Sequence, residues 1–291
     1  MREYGIGQPV PRVEDRKLLQ GLGSYTDDRL VAGAAHMYVV RSPHAAAKLL
    51  NIDTTKSMSM PGVLQVLTAN DATADNLGKF TCSVKRKQRN GSSMLEPDFP
   101  ILVSESINMV GAPIAIVVAE TLNNAMDAAE NIEIEYEILP SITNTGAALN
   151  SGAAQVWSNV ENNESFYFKI GDESEVDKAF SEASHITSLE LVISRVSANT
   201  IEPRGAIGFY DRGTERYTLY AGMQSPHRVR TELAINVLKI PESHLRVISP
   251  DMGGGFGMRG LPFAEHALVL WASKRVGRPV RWIATRTESL A

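Results

Sequence analysis

What the 291-residue chain has little of narrows its functions first. It holds one cysteine, Cys82, so no disulfide can close within the chain and no cysteine cluster is present for zinc or an iron–sulfur centre. No apolar run reaches the roughly 20 residues that a membrane-spanning helix needs. Residues 1–9, MREYGIGQP, are charged and turn-rich rather than the start of a signal segment. A reducing, cytoplasmic setting is expected. Charge of one sign is also scarce: Lys and Arg number 29 against 33 Asp and Glu, a net charge of −4, which argues against a nucleic-acid footprint. The exception is Lys85-Arg86-Lys87-Gln88-Arg89, which, followed by Asn90 and Gly91, reads as a solvated loop. With 43% hydrophobic residues the chain is ordinary globular protein, long enough for two cores and hence two domains.

What the sequence does have is a glycine-rich run, Gly253-Gly254-Gly255-Phe256-Gly257. Glycines reach positive φ and let a backbone approach a ligand closely. The β-branched, alternating residues 244–249 before the run read as a strand. Ala264, Leu268, Trp271 and Ala272 after it fall at helical spacing. Successive free N–H groups there would suit an anion or an oxo group. Phe256 is poor turn chemistry among glycines and is expected to pack against something flat. No Lys-Ser/Thr pair closes the run as a P-loop requires, and the spacing is not G-x-G-x-x-G. A cofactor other than a nucleotide is implied.

Along the chain, period-2 or apolar runs predict strands at residues 35–40, 63–67, 114–119, 132–138, 166–171, 186–194, 206–210 and 217–220. Helices are expected at 45–50, after Thr121 as N-cap through Ala125, Ala128 and Ala129, at 175–183, and from Pro226 with Val229, Leu233 and Val237 on one face. Residues 70–100 read as a long loop and 141–163 as a connector. His36 and His44 lack a third ligand nearby and read as structural. The acidic stripe Glu133, Glu135 and Glu137 reads as a solvent face. Glu202 and Arg204 read as a loop-locking ion pair rather than as chemistry.

Several ordered motifs carry a resemblance: residues 252–257, Gln224-Ser225-Pro226-His227-Arg228-Val229-Arg230, Gly23-Ser24-Tyr25-Thr26-Asp27-Asp28, Val40-Arg41-Ser42-Pro43-His44-Ala45 and Glu202-Pro203-Arg204-Gly205. Together they resemble the molybdopterin-binding large subunit of the xanthine dehydrogenase and aldehyde oxidase family. Within it, the carbon monoxide dehydrogenase type of large chain is the most similar. The resemblance implies an α+β fold: an N-terminal arm at 1–20, an α/β hammerhead domain at 21–140, the connector at 141–163, and the first, incomplete part of a molybdenum cofactor-binding domain at 164–291.

It also implies the chemistry. Gln224, Gly254, Gly255, Phe256 and Gly257 are the expected cofactor-binding residues, with the Gln224 side chain and the backbone of Phe256 and Gly257 holding the oxo ligand of molybdenum. The cofactor would be molybdopterin in its cytosine dinucleotide form. The reaction would hydroxylate a small molecule with oxygen from water, passing electrons to an iron–sulfur small subunit and an FAD-bearing medium subunit in a dimer of heteromers. Gly260 stands where purine-oxidising relatives carry a glutamate, which disfavours xanthine and leaves aldehydes, N-heterocycles or carbon monoxide. The family's catalytic glutamate falls in the part of the large subunit that follows residue 291. No catalytic residue is therefore expected here, and that remaining part of the subunit is the expected partner. The alternative is a non-catalytic scaffold or fragment that holds no cofactor.

Overall fold

The computed structural model describes residues 7–194 and 196–290. The strands are β1 Ala35–Arg41, β2 Ala47–Asp53, β3 Val63–Thr68, β4 Lys79–Phe80, β5 Phe99–Pro100, β6 Ser106–Ile107, β7 Pro113–Ala119, β8 Glu133–Ile138, β9 Gly205–Asp211, β10 Arg216–Tyr220, β11 Leu245–Ile248 and β12 Val280–Ile283. The α-helices are α1 Asp15–Leu19, α2 Thr55–Met58, α3 Ala69–Ala74, α4 Leu122–Ala129, α5 Glu173–Glu182, α6 Pro226–Thr231 and α7 Ala264–Val276.

One seven-stranded sheet, ordered β11-β10-β9-β12-β1-β7-β3, runs through both halves of the chain. The halves meet where β12 lies parallel to β1, pairing Ala35 with Val280 and His36 with Arg281. The largest apolar core follows the sheet, joining Met37, Val39 and Ile116 to Leu219, Leu233, Leu268 and Trp282. A smaller sheet, β6-β2-β8, stands apart over its own cluster around Ile107 and Ile114.

Local chemistry explains the elements that position the glycine loop. The nine residues from Glu265 to Ser273 of α7 are all buried, and the helix lies so close on β9 that a Cβ at Gly208 would come within 2.5 Å of the Val269 carbonyl carbon. Gly277, at φ +69, ends α7 in the left-handed conformation common just past a helix. Pro226 opens α6, where its missing N–H costs nothing. Val229, Leu233 and Val237 are fully buried as their spacing predicts, although the helix widens into a π-turn over Glu232–Leu238. There the Val237 carbonyl accepts from Gly78 N–H, and a Cβ at Gly78 would collide with the Asn236 carbonyl. Thr121 caps α4, its hydroxyl accepting from Asn124 N–H at 3.1 Å.

Three expectations are corrected. Residues 45–50 form no helix: 45 and 46 bend, and 47–50 belong to β2, which pairs with β6 on one side and β8 on the other; this pairing overrides the helix preference of alanine and leucine. The expected loop at 70–100 contains α3 and the short pair β4–β5. Residues 166–171 and 186–194 form no strand among the described residues, apart from a single bridge from Lys87 to Tyr167. Arginines lie over Tyr167 and Phe168, but the backbone of these segments finds no strand to pair with among the described residues. Leu191, Val192 and Ile193 are exposed, the last at 92%, as are Val176 and Phe180 of α5.

The smaller motifs resolve simply. His44 meets Tyr136 edge-on at 4.8 Å, while burial and then Arg281 hold His36 below the usual histidine range. Glu133, Glu135 and Glu137 are exposed. The basic loop is paired locally, Lys85 with Glu96 at 2.5 Å and Arg89 with Glu164 at 2.8 Å.

Candidate cofactor-binding loop

The strand β11 delivers the chain to a loop whose backbone is held in unusual conformations. Gly254 and Gly257 have φ of +117° and +84°, and Phe256, which has a Cβ, is forced to +50°. A non-glycine residue in this region costs on the order of 1–3 kcal/mol and persists where the surroundings demand it, most often at functional sites. Phe256 is 78% exposed, so no flat surface of the described chain covers it as the sequence led one to expect. The N–H groups of Gly254, Gly255 and Phe256 have no acceptor among the described residues. Three consecutive free donors are a ready cradle for an anionic or oxo-bearing group.

Gln224, between β10 and α6, is built into this loop twice. Its backbone N–H donates to the Arg259 carbonyl at 2.9 Å. Its side-chain Oε1 accepts from Gly257 N–H at 2.9 Å. Since only the oxygen of an amide can accept, its Nε2 is left as a donor without a partner among the described residues. Of the expected donors, Gly257 N–H is thus already committed to Gln224, while Phe256 N–H is free.

The glycines divide into two roles. A Cβ at Gly255 would come within 2.7 Å of Gln224 Cδ, and one at Gly253 would strike the Glu202 side chain. These two make room for the protein's own side chains. Gly257 and Gly260 have nothing within 4 Å of where a Cβ would stand, and face open space.

Two ion-pair systems lie beneath the loop. In the first, Glu202 accepts from Arg259 Nη1 at 2.5 Å and from Gly253 N–H at 2.8 Å. In the second, Arg41 of β1 donates to Glu265 of α7 at 2.5 Å and to Glu288 at 3.0 Å. Arg204 joins this second system, 3.8 Å from Glu265, and stacks over Phe263 at 4.1 Å. Glu202 therefore does lock a loop, but its partner is Arg259 rather than Arg204. Burial works to raise the Glu265 pKa, yet Arg41 and Arg204 together hold the carboxyl below the usual carboxylate range. Burial, with Arg204 and Arg259 nearby, pushes the neighbouring His266 down to about 4; its neutral Nδ1 accepts from Phe263 N–H at 3.1 Å.

Arg259, Glu265, Arg41 and Thr200 escaped the sequence reading as parts of this site. The available signals were a charged residue lodged between Gly257 and Gly260, and a carboxylate at the start of a helix whose middle, 267–272, is apolar.

The helix α7 begins at Ala264, well past Gly257, so the glycines do not wrap a helix start as a nucleotide phosphate loop does. What the loop presents is a row of free backbone N–H groups beside a fixed glutamine amide, a donor set suited to an anionic or oxo-bearing group. Comparison with known proteins gives the family. Residues 156–291 match the molybdopterin cofactor-binding domain, and residues 20–140 match the a/b hammerhead domain of aldehyde oxidase and xanthine dehydrogenase. The chain is 35% identical to the nicotine 6-hydroxylase large subunit of Paenarthrobacter nicotinovorans, over 98% of its own length and 34% of the relative's. It is 30% identical to the carbon monoxide dehydrogenase large chain of Afipia carboxidovorans, over 99% of its own length and 36% of the relative's. The crystal structure of quinoline 2-oxidoreductase from Pseudomonas putida 86 superposes with a TM-score of 0.82 at 33% identity, covering 96% of this chain and 34% of that one.

The chain belongs to the xanthine dehydrogenase and aldehyde oxidase family of molybdenum hydroxylases, and its α+β fold is a hammerhead part followed by a cofactor-binding part. It spans about a third of the length of these relatives.

Proposed function

We propose that this chain supplies the oxo-facing side of the molybdenum site in a multi-subunit hydroxylase, the division into hammerhead and cofactor-binding parts falling at residues 141–163. The carrying observation is the row of free N–H groups at Gly254, Gly255 and Phe256 beside Gln224, whose amide is oriented by Gly257. These residues fit an oxo-bearing cofactor: three consecutive backbone N–H groups and Gln224 Nε2 stand there as donors without an acceptor among the described residues. When bound, molybdopterin with molybdenum, in its cytosine dinucleotide form, supplies two-electron oxidation of a substrate carbon with oxygen drawn from water. The part of this chain is electrostatic. Gln224 Nε2 and the backbone donors stand fixed before any ligand arrives, and preorganised donors of this kind are worth about 3 kcal/mol each at oxyanion sites.

Gly260 offers no side chain to a purine, which disfavours xanthine. Two of the relatives are named for nicotine and quinoline, and an aromatic N-heterocycle is the substrate class we favour over aldehydes and carbon monoxide. Electrons would leave through an iron–sulfur small subunit and an FAD-bearing medium subunit. The catalytic base would come from polypeptide corresponding to the two-thirds of the relatives that this chain does not span. The apolar residues Val176, Phe180, Leu191, Val192 and Ile193, all exposed, are the face we assign to that polypeptide.

The test is elemental and mass analysis of the native protein. Molybdenum together with polypeptide resembling the rest of a large subunit supports the reading. A metal-free chain without such companions would leave only the scaffold alternative. In a loaded complex, Gln224→Ala is expected to lower turnover about 100-fold, the lower end for losing one oxyanion-type donor. Unchanged turnover at equal molybdenum content removes Gln224 from the site.

A further inference from the structure

We propose that Glu202 and Arg259 are a positioning pair that sets the spacing between Gln224 and the donor row of the glycine loop. The inference rests on the loop being the cofactor site, but its geometry stands on separate contacts. A single oxygen, Glu202 Oε2, receives Gly253 N–H at 2.8 Å and Arg259 Nη1 at 2.5 Å. One carboxylate thereby ties both ends of the loop together. The Glu202 backbone N–H adds a bond to the Gly253 carbonyl at 3.3 Å.

Arg259 spreads its other nitrogen over three acceptors, Thr200 Oγ1 at 3.0 Å, the Glu202 carbonyl at 2.5 Å and the Pro203 carbonyl at 3.2 Å. Its own carbonyl then receives the backbone N–H of Gln224 at 2.9 Å. Glu202 fixes Arg259, Arg259 fixes Gln224, and Gln224 Oε1 returns to the loop at Gly257 N–H, 2.9 Å away. The circuit is closed.

Two further observations show that the loop is shaped around this pair. A Cβ at Gly222 would come within 2.8 Å of Arg259 Nη1, and one at Gly253 would run into the Glu202 side chain. Both partners are nearly sealed from water, with side-chain exposures of 3% for Arg259 and 11% for Glu202. Arg259 Nε has no partner among the described residues. Keeping a buried guanidinium incompletely satisfied is unfavourable for stability alone. A role in holding geometry accounts for what packing does not.

The experiment uses the complex as purified, with all accompanying polypeptides, and compares wild type with Arg259→Met, Arg259→Lys and Glu202→Gln. Amide hydrogen exchange is followed by mass spectrometry on peptides covering residues 252–258, with peptides from β7 and β9 as internal references. Molybdenum per chain is measured on the same samples.

For Arg259→Met we expect exchange in 252–258 to accelerate at least tenfold, no change in the reference strands, and molybdenum content at least halved. Arg259→Lys and Glu202→Gln should fall between this and wild type, because each retains part of the contact set. Loop exchange and molybdenum content equal to wild type in both Arg259→Met and Glu202→Gln would overturn the inference. So would acceleration of equal size in β7 and β9, which marks general destabilisation. Should Arg259→Met fail to accumulate, Glu202→Gln alone decides by the same criteria. If the wild type itself carries no molybdenum, the cofactor reading fails while loop exchange still judges the pair.

Discussion

The glycine loop and the stretch from residue 164 to 201 belong to the same half of the chain and are built on opposite terms. Around the loop, charged groups are buried and matched: Arg259 with Glu202, Arg41 and Arg204 with Glu265. In the other stretch, apolar groups are exposed and unmatched, from Phe166 through Phe180 to Ile193 and Ile201. The first region has its partners within the chain, at long sequence distance. The second has side chains whose burial would each be worth about 1.5–3 kcal/mol and forgoes that gain. Large apolar side chains left exposed along one stretch are of the kind that interaction surfaces use. The donor row is thus complete within the chain, while the exposed stretch is the face we assign to outside polypeptide.

The sharpest way to break this contrast is to unmatch the matched region. Glu265→Ala takes from buried Arg204 its carboxylate and leaves Arg41 with the Glu288 carboxylate alone, and removing one partner of a buried pair costs about 3–5 kcal/mol. Urea unfolding should show a midpoint lowered accordingly; a loss below about 1 kcal/mol would place the pair among surface-like bridges.

Acid probes the same region without mutation. His266 is neutral when folded, with its pKa near 4 against 6.5 when unfolded, so between these values the unfolded chain binds more protons and stability falls as pH falls. The full loss approaches about 3 kcal/mol. Glu265, held low by Arg41 and Arg204, contributes stability that is present at neutral pH and is lost only as pH drops through its own lowered pKa. Melting temperatures measured from pH 7 to pH 4 should decline across this window, and His266→Gln should flatten the upper part of the decline.

Gly208→Ala should cost about 1–3 kcal/mol by overpacking, because the added methyl meets the α7 backbone at Val269 within 2.5 Å. Ile193→Asp is expected to do least to the chain, changing stability by less than about 0.5 kcal/mol. Its effect should appear as loss of co-purifying polypeptide. Retention of every companion in Ile193→Asp and Phe180→Asp would show that this face is not an interface.

Legibility followed the same division. The strands β7, β8, β9 and β10 were readable because their alternation or continuous burial is a local property, and the capped helix after Thr121 was readable because capping is local too. The donor row was readable as a glycine run, and Gln224 only through its motif. Residues 45–50 were misread because their helix-forming composition carries no trace of the pairing between β2 and β8. The segments 166–171 and 186–194 have the composition of strands, and without a neighbouring edge composition does not make one. The partner of Glu202 was hidden for the reason that makes it useful: Arg259 lies at the far end of the loop it secures.

The parallel contact of β12 with β1 bears on how the molecule comes into being. Ala35 is made long before its partner Val280, so the middle of the principal sheet cannot close until synthesis has passed β12. Until then β1 carries an open edge beside β7, and assembly of the sheet is dominated by non-local pairing, the slow class of folding reactions. A nascent chain stalled before residue 280 would hold β1, β7 and β3 as one unit and β9 and β10 as another, each with an unpaired edge available to chaperones or to aggregation.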